Sequence, residues 1–225
     1  MQQVMPQVFT FTGLIAGRVY ALQDADGLTL VDTSINNAGD KILAQLQQAG
    51  HAASAVKRIL ITHAHPDHIG SLPKLQQATG AEVWCHALEK PVIEGKQSIP
   101  RRPSGLRPPD MKVEAVSVAR TLTENEVLPI LGGLQVIFTP GHTPGHISFW
   151  QPERRMLITG DVIFYLFNRM TQPLAALTVD AEENKRSIKK VVALKPDSLL
   201  FGHGVPIVGN AGVTLDAFAR RLGLM

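Results

Sequence analysis

The sequence predicts an α+β fold of two similar halves, each a β-rich stretch followed by helix, strand and helix, packed sheet against sheet. Two observations point there. Short β-like runs, broken by glycine and turn residues, alternate with amphipathic helical patterns along the chain. Residues able to bind metal ions recur just after strand-like runs in both halves. No literal sequence repeat accompanies the two-part pattern, and residues 1–225 are read as one domain.

Runs 8–12, 19–23 and 28–31 are β-like and separated by Gly13, Gly17 and the turn Asp24-Ala25-Asp26-Gly27. Asn36 or Asn37 is placed to cap a helix reaching Ala49, with Ile42, Leu43 and Leu46 on one face and Gly50 as its stop. A strand over 56–62 runs directly into a histidine-rich loop. A helix over 69–78 follows and stops at Gly80, and a strand over 82–85 comes next. Residues 95–110 carry six prolines and glycines among three arginines and form a long irregular connection, either a functional loop or a spacer. Strands are expected again at 113–118, 134–139, 147–150 and 156–159. A helix begins at Asp180 or Ala181 and runs to Leu194, a strand covers 198–201, and a last helix covers 213–222.

Composition narrows the function. A 44% apolar fraction supports a real core, and no apolar run is long enough to cross a membrane. Residues 1–6 lack a basic start and a long apolar run, so no signal peptide and a cytoplasmic location are expected. The single cysteine, Cys85, excludes an intrachain disulfide and reads as a small buried apolar residue. Net charge is +3, and no aromatic residue interleaves with the cluster Arg101, Arg102 and Arg107. Nucleic acid is therefore not an expected partner. A small-molecule substrate is expected, with the chain acting away from membranes as a monomer or a homodimer.

The chemistry concentrates in His63-Ala64-His65-Pro66-Asp67-His68, between a strand and a helix. Histidines this dense repel one another when protonated, whereas metal binding holds each ring neutral and uses its lone pair. Alternation at 63, 65 and 67 sends side chains to one side of an extended segment, and His68 begins the helix, so one loop addresses two metals. The remaining ligands should stand at other strand ends. His142, in Thr139-Pro140-Gly141-His142-Thr143-Pro144-Gly145-His146, Asp161 after Gly160 and His203 after Gly202 all do.

His63, His65, Asp67 and His68, followed by His142, Asp161 and His203, resemble the complete ligand set of the metallo-β-lactamase fold superfamily, across residues 63–203. The resemblance implies a four-layer αββα sandwich of two mixed β-sheets flanked by helices, with the site at one edge of the sheets. It implies that His63, His65 and His142 bind one divalent ion, that Asp67, His68 and His203 bind another, and that Asp161 bridges them. Imidazole and carboxylate ligands suit zinc, and iron or manganese also. The implied chemistry is hydrolysis, in which a metal-bridging hydroxide attacks an ester, thioester or lactone carbonyl and Asp67 orients the nucleophile or passes a proton.

Asp32 is implied as a carboxylate hydrogen-bonding a ligand histidine. Tyr165, four residues after Asp161, is either a donor to the substrate carbonyl, as in similar lactonases, or a packed aromatic. The run 162–167 with 168–177 either walls a pocket or is ordinary core and loop. His146 and His86 are not needed as ligands: His146 is read as supporting the site, His86 as a surface or capping residue and His51 as exposed. Other readings on the same scaffold are an iron-dependent persulfide dioxygenase, a phosphodiesterase, a β-lactamase and a non-enzymatic binding module. Asp161 together with His68 argues against the β-lactamase, and the intact ligand set against the binding module. Neither glyoxalase II, with its usual C-terminal helical extension, nor the lactonases, with their longer insertion, is a close match.

Overall fold

The apolar runs of the N-terminal half become a seven-stranded sheet: β1 (Gln2–Met5), β2 (Val8–Thr10), β3 (Tyr20–Asp24), β4 (Gly27–Val31), β5 (Val56–Leu60), β6 (Glu82–His86) and β7 (Arg120–Leu122), in that spatial order. Strands β1 to β4 are antiparallel neighbours, with two-residue turns between β1 and β2 and between β3 and β4 and a longer loop over 11–19 between β2 and β3. From β4 to β7 the pairing is parallel, because a connection between parallel strands must cross over. The crossovers carry α1 (Gly39–Gln48), α2 (Pro66–Ile69), α3 (Leu72–Thr79) and α4 (Lys90–Ile93). Leu30, Ile42, Leu46, Ile59, Leu75 and Val83 join one buried cluster. Arg58, polar within β5, is accommodated by Thr29 Oγ1 at 3.1 Å and Asp26 at 2.7 Å.

The computed structural model describes residues 1–101 and 114–225, which form two compact units. The first is the sheet just described, with Pro129–Gly132 added. The second contains Thr123–Leu128 and Gly133–Met225. Its five-stranded sheet comprises β8 (Val127–Leu128), β9 (Leu134–Phe138), β10 (Ile147–Gln151), β11 (Met156–Gly160) and, beyond a hairpin of β12 (Phe164–Leu166) and β13 (Arg169–Thr171), β14 (Ser198–Phe201). The order is β14-β11-β10-β9-β8, with β11 and β14 parallel. Helix α5 (Ala181–Ala193) crosses between these two, and α6 (Ala211–Arg221) follows β14. Asp180 caps α5 by accepting from Glu183 N at 2.9 Å. Ile188, Val191, Phe201, Leu215 and Phe218 anchor this unit's own core. Two large mixed sheets with flanking helices bear out the α+β expectation.

Several local expectations are corrected. Helix α1 starts at Gly39 behind Ala38, and no asparagine side chain caps it. The helix expected over 69–78 is two helices. Pro73, at the start of α3, has no N–H for the carbonyl four residues back and clashes with it, so α2 cannot run through. Residues 114–118 form no strand: Val116 and Val118 are buried, but Val116 N donates to Ile93 O, so the alternation reports burial alone. Val113, Arg102 and Arg107 lie outside the described residues, as does most of the arginine-proline segment. The hairpin in 164–171 turns at Phe167 and Asn168, with φ of 51° and 59°, a left-handed two-residue turn made without glycine. No helix among the described residues is long and apolar enough to cross a membrane.

Ile59 and Phe201 are fully buried in their respective units. Ile59→Ala should cost about 2–5 kcal/mol and Phe201→Ala about 3–5 kcal/mol, read from urea unfolding midpoints. A loss below about 1 kcal/mol at either position would contradict these core assignments.

Candidate metal centre

In the first unit the chain leaves the sheet after β5, where Ile61 N still donates to Trp84 O, and α2 begins at Pro66. Asp67 therefore stands on the first turn of a helix, and the extended alternation covers only His63 and His65. His63, His65 and His68 are buried together, with the His63 ring centroid 4.7 Å from that of His65 and 4.1 Å from that of His68. Gly17 lies against this turn. A Cβ there would sit 1.6 Å from the Asp67 carbonyl oxygen, so any other residue would push Asp67 aside.

Asp32 organises the group. It adopts a left-handed backbone (φ 60°), which aspartate tolerates better than most residues. Its Oδ1 accepts from Thr62 N at 2.8 Å, and its Oδ2 accepts from the Thr62 hydroxyl and from His68 Nδ1, each at 2.8 Å. The single Thr62 hydroxyl proton is thus committed to Asp32. His63 Nδ1, 3.1 Å from Thr62 Oγ1, must then carry its own proton and donate it. One carboxylate so keeps the protons of His63 and His68 on Nδ1 and leaves both Nε2 atoms with the lone pair that a metal ion would need. Asp32 does what the resemblance implied. Thr62 and Glu89 were missed: buried Glu89 accepts from Ala64 N at 2.8 Å and pins the motif's backbone. Thr62 had a signal, since it immediately precedes the motif, whereas Glu89 had none.

In the second unit His142 follows β9, Asp161 follows β11 and His203 follows β14. Asp161 is buried, and its Oδ2 lies 3.4 Å from His142 Nε2 and 3.3 Å from His203 Nε2. Two ligand atoms at zinc bond lengths of about 2.0–2.2 Å, set at a tetrahedral angle, are separated by about 3.3–3.5 Å. Asp161 Oδ2 therefore stands at ligand spacing from each of the two imidazole nitrogens. The Thr178 hydroxyl donates to Leu174 O at 3.0 Å, so His142 Nδ1, 3.2 Å from Thr178 Oγ1, is the donor to it and Nε2 again keeps the lone pair. Gly141 (φ 127°) lets this loop press on α5: a Cβ there would lie 2.2 Å from Asn184 N. His203 is fixed through its carbonyl, which accepts from Tyr165 N at 2.9 Å, and its ring lies 4.5 Å from that of Phe164.

The Tyr165 ring stacks on Phe201 with centroids 5.5 Å apart. His146 lies inside the second unit and bonds through both ring nitrogens to the protein. His86 accepts from Leu88 N at 3.3 Å and caps a turn, and burial lowers its pKa. His51 is half-buried rather than exposed. Cys85 is fully buried, and burial pushes its thiol pKa well up, which leaves it unreactive.

Among the described residues, His63, His65, Asp67, His68, His142, Asp161 and His203 offer the nitrogen and oxygen atoms that could hold metal ions. Residues 12–203 match the family model of the metallo-beta-lactamase superfamily. The chain is 31% identical to the probable metallo-hydrolase YflN of Bacillus subtilis, over 91% of this chain and 87% of that one. It is 35% identical to the hydroxyacylglutathione hydrolase GloC of Haemophilus influenzae, over 48% of this chain and 50% of GloC. The crystal structure of the metallo-beta-lactamase family protein TTHA1429 from Thermus thermophilus aligns with a TM-score of 0.74 at 22% identity, covering 98% of this chain and 81% of that one. The chain belongs to the metallo-β-lactamase superfamily and has that fold.

If Asp32 sets the donor nitrogens of His63 and His68, Asp32→Ala should weaken zinc binding about 10–100-fold in a chelator competition titration. Thr62→Val should weaken it less, because it disturbs one ring only. Unchanged affinity in Asp32→Ala would contradict this role.

Proposed function

We propose that the chain is a metal-dependent hydrolase whose two ligand groups form one centre for two divalent ions, most naturally zinc, acting on an ester, thioester or lactone carbonyl of a small molecule. The observation that carries this reading is the position of Asp161 Oδ2, one oxygen facing two imidazole Nε2 atoms at ligand spacing. The family match supports the joint centre, because it runs through both ligand groups. The likeness to a hydroxyacylglutathione hydrolase supports the carbonyl substrate class.

His63, His65 and His142 would hold one ion, Asp67, His68 and His203 the other, and Asp161 would touch both. Bound at such a site, two divalent ions lower the pKa of water and stabilise negative charge developing on a carbonyl oxygen. The protein's share is to hold the imidazole protons on Nδ1 and so aim the Nε2 lone pairs, which Asp32, Thr62 and Thr178 do. Asp67, on the first turn of α2, is the carboxylate proposed to orient the nucleophile and carry a proton towards the leaving group. Tyr165, whose ring face stacks on Phe201, would contribute its hydroxyl as a donor to the substrate carbonyl.

Purified protein should contain close to two metal ions per chain by elemental analysis. It should turn over thioesters, lactones or aryl esters in a screen that also includes phosphodiesters and β-lactams. Asp161→Ala should lose metal and lower kcat/KM by more than about 100-fold. A single iron per chain with oxygen consumption, or full occupancy and activity in Asp161→Ala, would overturn the reading.

A further inference from the structure

His146 is fully buried beside the centre and is not among its ligands. Its Nε2 accepts from the backbone N–H of Asp161 at 2.9 Å. A backbone amide only donates, so Nε2 must present its lone pair, and the neutral ring carries its proton on Nδ1. Nδ1 lies 2.9 Å from Thr139 Oγ1, which therefore accepts. The Thr139 hydroxyl proton is then available to Ser148 Oγ at 2.9 Å, and the Ser148 hydroxyl donates to Thr159 O at 3.0 Å. Each member has one proton to give, so the direction of the whole chain of bonds follows from its first link.

The relay starts at the amide of residue 161 and ends at the carbonyl of residue 159. It grips the backbone on both sides of Gly160, at the point where β11 ends and the shared carboxylate begins. Gly160 O itself accepts from Gly202 N at 3.0 Å, which ties the same turn to the segment that carries His203. The relay also reaches His142. Thr139 N donates to His146 O at 3.0 Å, so the ligand-bearing loop from Thr139 to His146 is closed by the two residues that hold Asp161. His142, Asp161 and His203 are thus referred to one buried frame. That frame suits a carboxylate oxygen that must stay 3.3–3.4 Å from two nitrogens.

We propose that His146 is a positioning residue for Asp161: it sets the carboxylate through the Asp161 amide, with Thr139 and Ser148 completing a clasp around Gly160. The inference rests on Asp161 being a metal ligand, as proposed above. His146 Nε2 is committed to the Asp161 amide, so His146 is not an eighth ligand.

The test compares wild type, His146→Leu, His146→Gln and Asp161→Ala by two readouts. One is hydrogen exchange at the Asp161 amide in metal-free protein. The other is zinc affinity by chelator competition. His146→Leu removes the acceptor, so the amide should exchange faster and zinc affinity should fall about 10–100-fold. The amide oxygen of glutamine can accept in place of Nε2, so His146→Gln should recover protection and most of the affinity. A general packing defect would not be rescued in this way. If His146→Leu fails to fold by circular dichroism, Thr139→Val removes the links to His146 Nδ1 and Ser148 Oγ but leaves the Nε2 acceptor in place, and should shift both readouts the same way by a smaller factor. Wild-type zinc affinity in His146→Leu, or in its place in Thr139→Val, overturns the positioning role, as does unchanged Asp161 protection. If wild type and Asp161→Ala bind zinc alike, the ligand reading of Asp161 fails and the positioning role falls with it, while the amide exchange still reports whether the clasp exists.

Discussion

The carboxylate of Asp32 accepts three hydrogen bonds at 2.8 Å, from the Thr62 amide, the Thr62 hydroxyl and His68 Nδ1. Without them, the neutral rings of His63 and His68, 4.1 Å apart in a buried loop, could place their proton on either nitrogen. A metal site needs the lone pair on the nitrogen that faces the ion, and each ring has only one lone pair when neutral. By fixing the proton on Nδ1, Asp32 settles both rings at once. The left-handed backbone at Asp32 costs about 1–2 kcal/mol for an ordinary residue, less for aspartate, and it persists because this network holds it.

The second unit reaches the same end by another route. Thr178 spends its hydroxyl proton on a backbone carbonyl and can only accept from His142, as Thr62 does with His63. Threonine hydroxyls thus serve as one-way partners to imidazoles in both units. Their value lies in what they have already donated to. Strand ends supply the frame, because a chain leaving a sheet keeps its last backbone bond in the ladder while its next side chain is released into the site.

Much of this was legible in the sequence. His63 to His68 announced themselves by density, and His142, Asp161 and His203 by standing after strand-like runs. The strand at 198–201 and the Asp180 cap of α5 were found as expected, because both depend on local chemistry. What escaped depended on distant partners. Nothing near Glu89 says that it will accept from Ala64, and nothing in Thr178 marks it as the neighbour of His142. The hairpin at 164–171 escaped because its turn uses Phe167 and Asn168 where glycine is the usual signal. The alternation of Val116 and Val118 misled because burial on one side of a coil looks like a strand.

The central proposal is that Asp161 is shared by two ions, with the protons of His63, His68 and His142 fixed on Nδ1. Anomalous diffraction from zinc-loaded crystals, collected at the zinc edge, tests it most directly. Two peaks about 3.5–4 Å apart are expected, both bonded to Asp161, one also to His63, His65 and His142 and the other to Asp67, His68 and His203. A single peak, or two peaks of which only one touches Asp161, would contradict it.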